Sequence, residues 1–237
     1  MARVALVTGS ARGIGQTIGL ALANAGVDVV FHYRTSSAEA ESAAELSRQA
    51  GVRACALAGT VADSVNARAL VEAAAGVWGR LDIVVNNVGD YLYKPVEEVT
   101  AQEWEGVLVS NLNSVFYVTQ AALPYLEASP AGRVINLGYA GAQNLLGRTH
   151  ITPYVIAKTG VIIYSKALAK RLAPKGVTVN VVAPGVAINS VRQPLDQIPV
   201  GRAATLDEIA QAALFFAREE SGYITGQVLE VAGGWNL

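Results

Sequence analysis

Cysteine occurs once in this 237-residue chain, at Cys55. An internal disulfide is excluded, and the apolar run VRACAL around Cys55 points to a small buried hydrophobe rather than a nucleophile. Neither sign of charge is in excess, with Lys+Arg 18 against Asp+Glu 19, so no net positive field draws nucleic acid. The basic run KALAKRLAPK falls late in its helix, where it reads as a solvated face that suits the helix dipole. There are two histidines, His32 and His150; neither has a partner at ligand spacing, and no metal centre is expected. Long apolar runs are also missing. VALVTG near the amino terminus is too short for a signal peptide or a membrane span, and TPYVIAKTGVIIYSKALAK is interrupted by Lys158 and Lys166. The expected setting is the reducing cytoplasm.

What the chain does have is a core. It is 52% hydrophobic and 16% charged, which excludes disorder and fits one domain of ordinary α/β size. Short β-branched runs recur at 4 to 8, 27 to 33, 52 to 57, 82 to 87, 133 to 137, 177 to 183 and 227 to 232. Between them lie Ala-, Leu- and Glu-rich stretches of helical period, several closed by glycine. That alternation predicts an α/β fold: a doubly wound parallel sheet of about seven strands with helices on both faces. Two segments break the rhythm, Gly138 to Pro153 and Pro184 to Leu206, and loops beyond the carboxyl ends of parallel strands are where such folds place ligands.

The first predicted strand runs into TGSARGIG, which sets Gly9, Gly13 and Gly15 in a GxxxGxG turn opening a helix. Backbone amides in such a turn can approach a pyrophosphate, and the helix N-terminus favours its charge. About 20 residues on, an acid would hold the ribose 2′-hydroxyl of NAD and an arginine would accept the 2′-phosphate of NADP. The chain reads HYRTS there, with Arg34 and no acid; Asp28 lies at the wrong end of its strand. With Arg12 in the glycine turn as a second phosphate contact, the residues favour NADP(H) over NAD(H).

Tyr154 and Lys158 are four apart in a predicted helix and so share a face. An ammonium near the phenol favours the phenolate and is expected to bring its pKa of about 10 toward working pH. Tyr154 can then pass a proton to a carbonyl oxygen or take one back.

TGSARGIG, NNVG at 86 to 89 and Tyr154-x-x-x-Lys158, in this order and spacing, resemble the short-chain dehydrogenase/reductase family, of the kind similar to 3-oxoacyl-carrier-protein reductases. The similarity runs from VALVTG to the carboxyl-terminal YITGQVLEVAGGW. It implies a single-domain Rossmann fold over 1 to 237, with strand order 3-2-1-4-5-6-7. It also implies a homotetramer, with the apolar helices at 103 to 126 and 153 to 173 as the interface. By resemblance, cofactor contacts fall on Ser10 and Ile14 beside the glycines, on Tyr33, Arg34 and Thr35, on Thr60 and Val61, and on Asn87, Val88 and Gly89. Asn86 shapes the same pocket. Lys158 holds the nicotinamide ribose, Asn111 a proton-relay water, and Pro184-Gly185 the turn beside the nicotinamide.

One piece of the family pattern is absent. The serine that usually follows the fifth strand and polarises the carbonyl is replaced in NLGYAG by Gly138 and Tyr139, and no serine occurs between Ser129 and Ser165. The Tyr139 hydroxyl can stand in as donor, or Tyr139 is a wall of the pocket. Thr149, Asn144 or a water can supply the donor, or the substrate needs none. An uncompensated loss costs about 10²-fold in rate or more. Carbonyl reduction is the leading expectation, reduction of a pteridine or imine C=N bond the second, and a cofactor-binding sensor with decayed catalysis the third. Thr60, Asn189 and Ala232 also depart from the family pattern, and the short segment from Ser190 to Arg202 suggests an open site or a bulky substrate.

Overall fold

The structure is a computed structural model that describes residues 2 to 236. Seven strands, β1 (Val4–Val7), β2 (Asp28–Tyr33), β3 (Ala54–Ala58), β4 (Ile83–Asn86), β5 (Arg133–Leu137), β6 (Thr178–Pro184) and β7 (Val228–Val231), form one sheet. Every pairing is parallel and the order is β3-β2-β1-β4-β5-β6-β7, as expected. β1, β4 and β5 are buried along their whole length, which is why they lack the apolar-polar alternation of a half-exposed strand.

Successive residues of each strand feed opposite layers. Ala5, Val7, Ile83, Val85 and Ile135 pack with α1 (Gly13–Asn24) and α7 (Leu206–Ala217). Val4, Leu6, Val84 and Val134 pack on the other side with α3 (Ser64–Trp78), α5 (Ser114–Ala128) and α6 (Thr152–Leu172). The layer of α1 and α7 also holds α2 (Ser37–Gln49) through Ala43 and Ala44. Close packing of α1 on the sheet depends on a missing side chain at Gly19, where a Cβ would lie 2.3 Å from the Phe31 ring.

The helix expected over 103 to 126 is divided. α4 (Ala101–Leu108) opens with a capping box in which Thr100 accepts from the Glu103 amide and Glu103 accepts from the Thr100 amide. It then passes through a π turn, Val109–Asn113, before α5 begins. Such widened turns often mark functional positions, and Asn111 sits inside this one. No helix among the described residues is long and apolar enough to cross a membrane.

Candidate active site

At the carboxyl end of β1 the chain makes its glycine turn. Gly9 and Gly13 both take φ of +61°, a region that costs any residue with a Cβ. A Cβ at Gly15 would lie 2.5 Å from Asn87 Nδ2 and 2.6 Å from the Gly9 carbonyl, so only glycine lets the turn close. Asn87 clamps it from the end of β4, donating from Nδ2 to the Thr8 and Gly9 carbonyls at 3.0 and 2.9 Å. From β2, His32 accepts the Gly9 amide on Nδ1 at 3.0 Å and directs Nε2 to the Gly59 carbonyl at 3.4 Å. Burial lowers the His32 pKa to about 4, so the ring is neutral and can accept on one side and donate on the other. This brace was not legible in the sequence beyond a satisfied polar role for the histidine. Arg12, which precedes α1, makes no side-chain cap, so the first-turn amides of α1 have no side-chain acceptor at that position.

Two cavities lie along the carboxyl edge of the sheet and share Arg12, Asn87 and Gly89. The smaller, about 270 Å³, is lined by Tyr33, Arg34 and Thr35 on one side and by Thr60 and Val61 on the other, with Gly9 and Val88 at its floor. The larger, about 930 Å³, takes Gly13, Ile14, Pro184 and Gly185 together with Tyr139, Tyr154, Lys158 and Asn111. Ser10 and Gly15 reach neither. Ser10 is fully buried and its hydroxyl donates to the Val7 carbonyl at 2.7 Å, so both residues shape the turn from behind. Asn86 is also set back, donating to Thr119 and Asn136. Arg12 and Arg34 are exposed and form no ion pair among the described residues, whereas Asp28 is committed at the far end of β2 to Arg53, at 2.7 Å.

Tyr154 and Lys158 share a face of α6. Lys158 is buried; its Nζ donates to the Leu137 carbonyl at 2.8 Å and lies 5.5 Å from the centroid of the Tyr154 ring. Burial, with no acid in contact, lowers the ammonium pKa to about 8. The expected fall in the phenol pKa is not found: burial pushes Tyr154 up, and the neighbouring Tyr139 and Tyr91 push it further. In this site desolvation outweighs the ammonium, so Tyr154 holds its proton. Asn111 is fully buried, with Nδ2 donating to the Asp90 and Val107 carbonyls at 2.8 and 3.1 Å. Its Oδ1 has no partner. That oxygen faces Gly89, where a Cβ would approach it to 2.3 Å.

At the two positions of the usual serines the chain is closely packed. A Cβ at Gly138 would lie 2.6 Å from Val181 Cγ1 on β6, so a side chain there would have to displace the buried Val181. Tyr139 is 8% exposed and packs with Ala142, Ile151, Val155 and Ile162. Its ring meets Tyr154 edge-on at 5.6 Å and Trp235 at 5.9 Å. Of the other candidate donors, Asn144 lines neither cavity and donates to the Asn236 carbonyl. Thr149 lines the larger cavity with its hydroxyl 2.9 Å from His150 Nδ1.

A glycine cradle, an arginine-flanked cavity and a pair made of a half-buried Tyr154 and a buried Lys158, beside an Asn111 oxygen with no partner among the described residues, fit a dinucleotide and its substrate. Residues 9 to 236 match the family model described as enoyl-(acyl carrier protein) reductase. The chain belongs to the short-chain dehydrogenase/reductase family. It is 36% identical over 243 residues to the 3-oxoacyl-(acyl-carrier-protein) reductase FabG of Staphylococcus aureus, covering 99% of this chain and 98% of that one. The Haemophilus influenzae FabG is 35% identical over 246 residues, with 99% and 98% covered. A crystal structure from Sinorhizobium meliloti 1021, assigned as a short-chain alcohol dehydrogenase, superposes with a TM-score of 0.92 at 32% identity, covering 99% of this chain and 97% of that one. As a member of this family the chain is an oxidoreductase, and the family works with nicotinamide cofactors.

Proposed function

We propose that this protein is an NADPH-dependent reductase of carbonyl groups, with ketones of the 3-oxoacyl type as the leading class. The observation that carries the proposal is the convergence of Tyr154, Lys158 and Asn111 on one cavity that is continuous, through Arg12, Asn87 and Gly89, with the glycine turn. Gly9, Gly13, Ile14 and the open N-terminus of α1 would hold the pyrophosphate. Arg12 and Arg34 would take the 2′-phosphate, and Thr60, Val61 and Val88 the adenosine. Pro184, Gly185 and Lys158 would hold the nicotinamide riboside. When bound, the cofactor supplies hydride to the carbonyl carbon.

The chain's own groups deal with the proton. Tyr154 retains its proton because burial disfavours the phenolate, which suits it to deliver that proton to the carbonyl oxygen as negative charge grows there. Lys158 is held at the Leu137 carbonyl, 5.5 Å from the ring, where its ammonium stabilises the phenolate left behind. Asn111 would belong to the route by which a proton returns to Tyr154 by way of Lys158. Tyr139 is the wall that fixes the Tyr154 ring. In this reading Tyr154 is the group that polarises the carbonyl.

The closed space at Gly138 keeps a second reading in play: an imine or dihydropterin C=N bond needs only the tyrosine proton. The two are separated by initial rates with NADPH on matched ketones and dihydropterins; faster turnover of a dihydropterin would replace the carbonyl reading. For self-association, the exposed Phe116, Ile156 and Ile163 of α5 and α6 are the surface we assign to subunit contact in a homotetramer, tested by light scattering of the wild type against Ile163→Lys.

A further inference from the structure

The larger cavity has a charge pattern that the reaction itself does not use. Among the described residues no Asp or Glu lines it, yet Arg148 and Arg192 do, in addition to Arg12 and Lys158. Arg12 stands at the glycine turn and Lys158 beside Tyr154, which leaves Arg148 and Arg192 without a role. Neither forms an ion pair among the described residues.

Arg148 is half-buried and Arg192 exposed, and each makes one side-chain contact. The Arg192 guanidinium lies 4.4 Å over the Tyr93 ring, and Tyr93 is stacked on His150 at 4.9 Å with 18° between the planes. Arg148 donates to Asn236 Oδ1. The loop that carries Arg148 is tied to the loop after β4 by the Lys94 amide to the His150 carbonyl and the Val96 amide to the Thr149 carbonyl, both 2.8 Å. Thus the loops after β4, β5 and β6 meet in one rim. Two guanidinium groups on that rim face a cavity that no acidic side chain lines among the described residues. A planar fork of donors matches a carboxylate or phosphate, and the Tyr93 ring under Arg192 orients its guanidinium.

Resting on the reductase reading of the site, we propose that Arg192 and Arg148 form an anion subsite, so that the preferred substrate is a carbonyl compound bearing a carboxylate or phosphate remote from the carbonyl. The cavity, at about 930 Å³, has room for such an extended molecule. The carboxylate would belong to a free keto acid, the phosphate to a 3-oxoacyl thioester of phosphopantetheine.

The test uses two matched pairs on the whole protein: an ω-carboxy 3-oxoester against its ω-methyl ester, and a 3-oxoacyl phosphopantetheine against the dephosphorylated pantetheine. Affinity is measured by calorimetry with the protein saturated in NADP+, and kcat/KM with NADPH. One charge-assisted contact predicts that the charged member of at least one pair binds roughly ten- to a hundredfold more tightly. The preference should weaken as salt is raised. In Arg192→Ala the ratio should collapse toward one, and in Arg192→Lys it should fall only part of the way. A preference confined to the carboxylate pair assigns the subsite to a free acid, and one confined to the phosphate pair assigns it to a carrier-bound substrate. Equal affinities within both pairs would overturn the proposal. So would a ratio that survives Arg192→Ala, or an Arg192→Ala defect that falls on NADP+ affinity alone. Preferential binding of the charged member without any turnover would support the subsite and remove the reductase reading instead.

Discussion

Tyr139 meets Tyr154 edge to face, with ring centroids 5.6 Å apart and 76° between the planes. On its other side Tyr139 meets Trp235 at 5.9 Å, while Tyr91 closes on Tyr154 at 5.2 Å. The Tyr154 ring is therefore held between two tyrosine rings, and one of the two residues at the place of the family's usual serines contributes an aromatic contact. Tyr139→Phe should accordingly keep kcat within a few-fold of wild type, because it preserves the contact. Tyr139→Ala should lower kcat and destabilise the protein by about 3 kcal/mol. Steady-state kinetics with thermal denaturation check both. A loss near 10²-fold in Tyr139→Phe would show the hydroxyl to be the missing donor.

The pH dependence follows from two buried groups. Tyr154 stays protonated, and Lys158 loses its charge near pH 8. Carbonyl reduction needs the phenol protonated and the ammonium charged, so kcat/KM for reduction should be flat below about pH 8 and fall above it. In Lys158→Met the rate should drop throughout and lose that alkaline limb. A wild-type profile that climbs with pH through this range would contradict the assignment.

His32 makes the glycine turn sensitive to acid. Its folded pKa of about 4 lies below the ordinary 6.5, so between those values the unfolded chain takes up a proton that the folded chain refuses. The stabilisation is complete above pH 6.5 and is lost as pH falls toward 4, by at most about 3 kcal/mol. Urea denaturation at pH 7 and at pH 4.5 should show this loss in wild type. The His32→Asn variant should be weaker at pH 7 and show a smaller acid-dependent decline.

Gly15→Ala places a methyl group against Asn87 and the Gly9 carbonyl. Part of the contact is backbone and cannot swing away, so the turn must distort. NADPH affinity should fall by tenfold or more on the scale of a lost charge-assisted contact. Fluorescence titration of NADPH measures it; affinity equal to wild type would mean that the turn does not hold the cofactor.

The sheet was legible because its central strands are short apolar runs buried on both faces, and the helices between them carry their own period and stops. The glycine turn was legible too, since Gly9, Gly13 and Gly15 follow a strand and open a helix. What sequence could not give came from contacts between distant segments. Position 138 is closed by Val181, 43 residues away on β6, and the rim arginines gain meaning only when three loops meet. Asn111 was identified, but the π turn that holds it was not, because a widened turn leaves no periodic signature. The direction of the Tyr154 shift was misread for a related reason: spacing places the lysine near the phenol but says nothing of how deeply both are buried.

The most direct test of the central claim is the initial rate of NADPH oxidation with the matched ketones, wild type beside Tyr154→Phe. The account predicts turnover by wild type that falls by at least about 10²-fold when the phenolic proton is removed. Equal rates in the two proteins, or tight NADPH binding with no turnover of any ketone or dihydropterin, would contradict it.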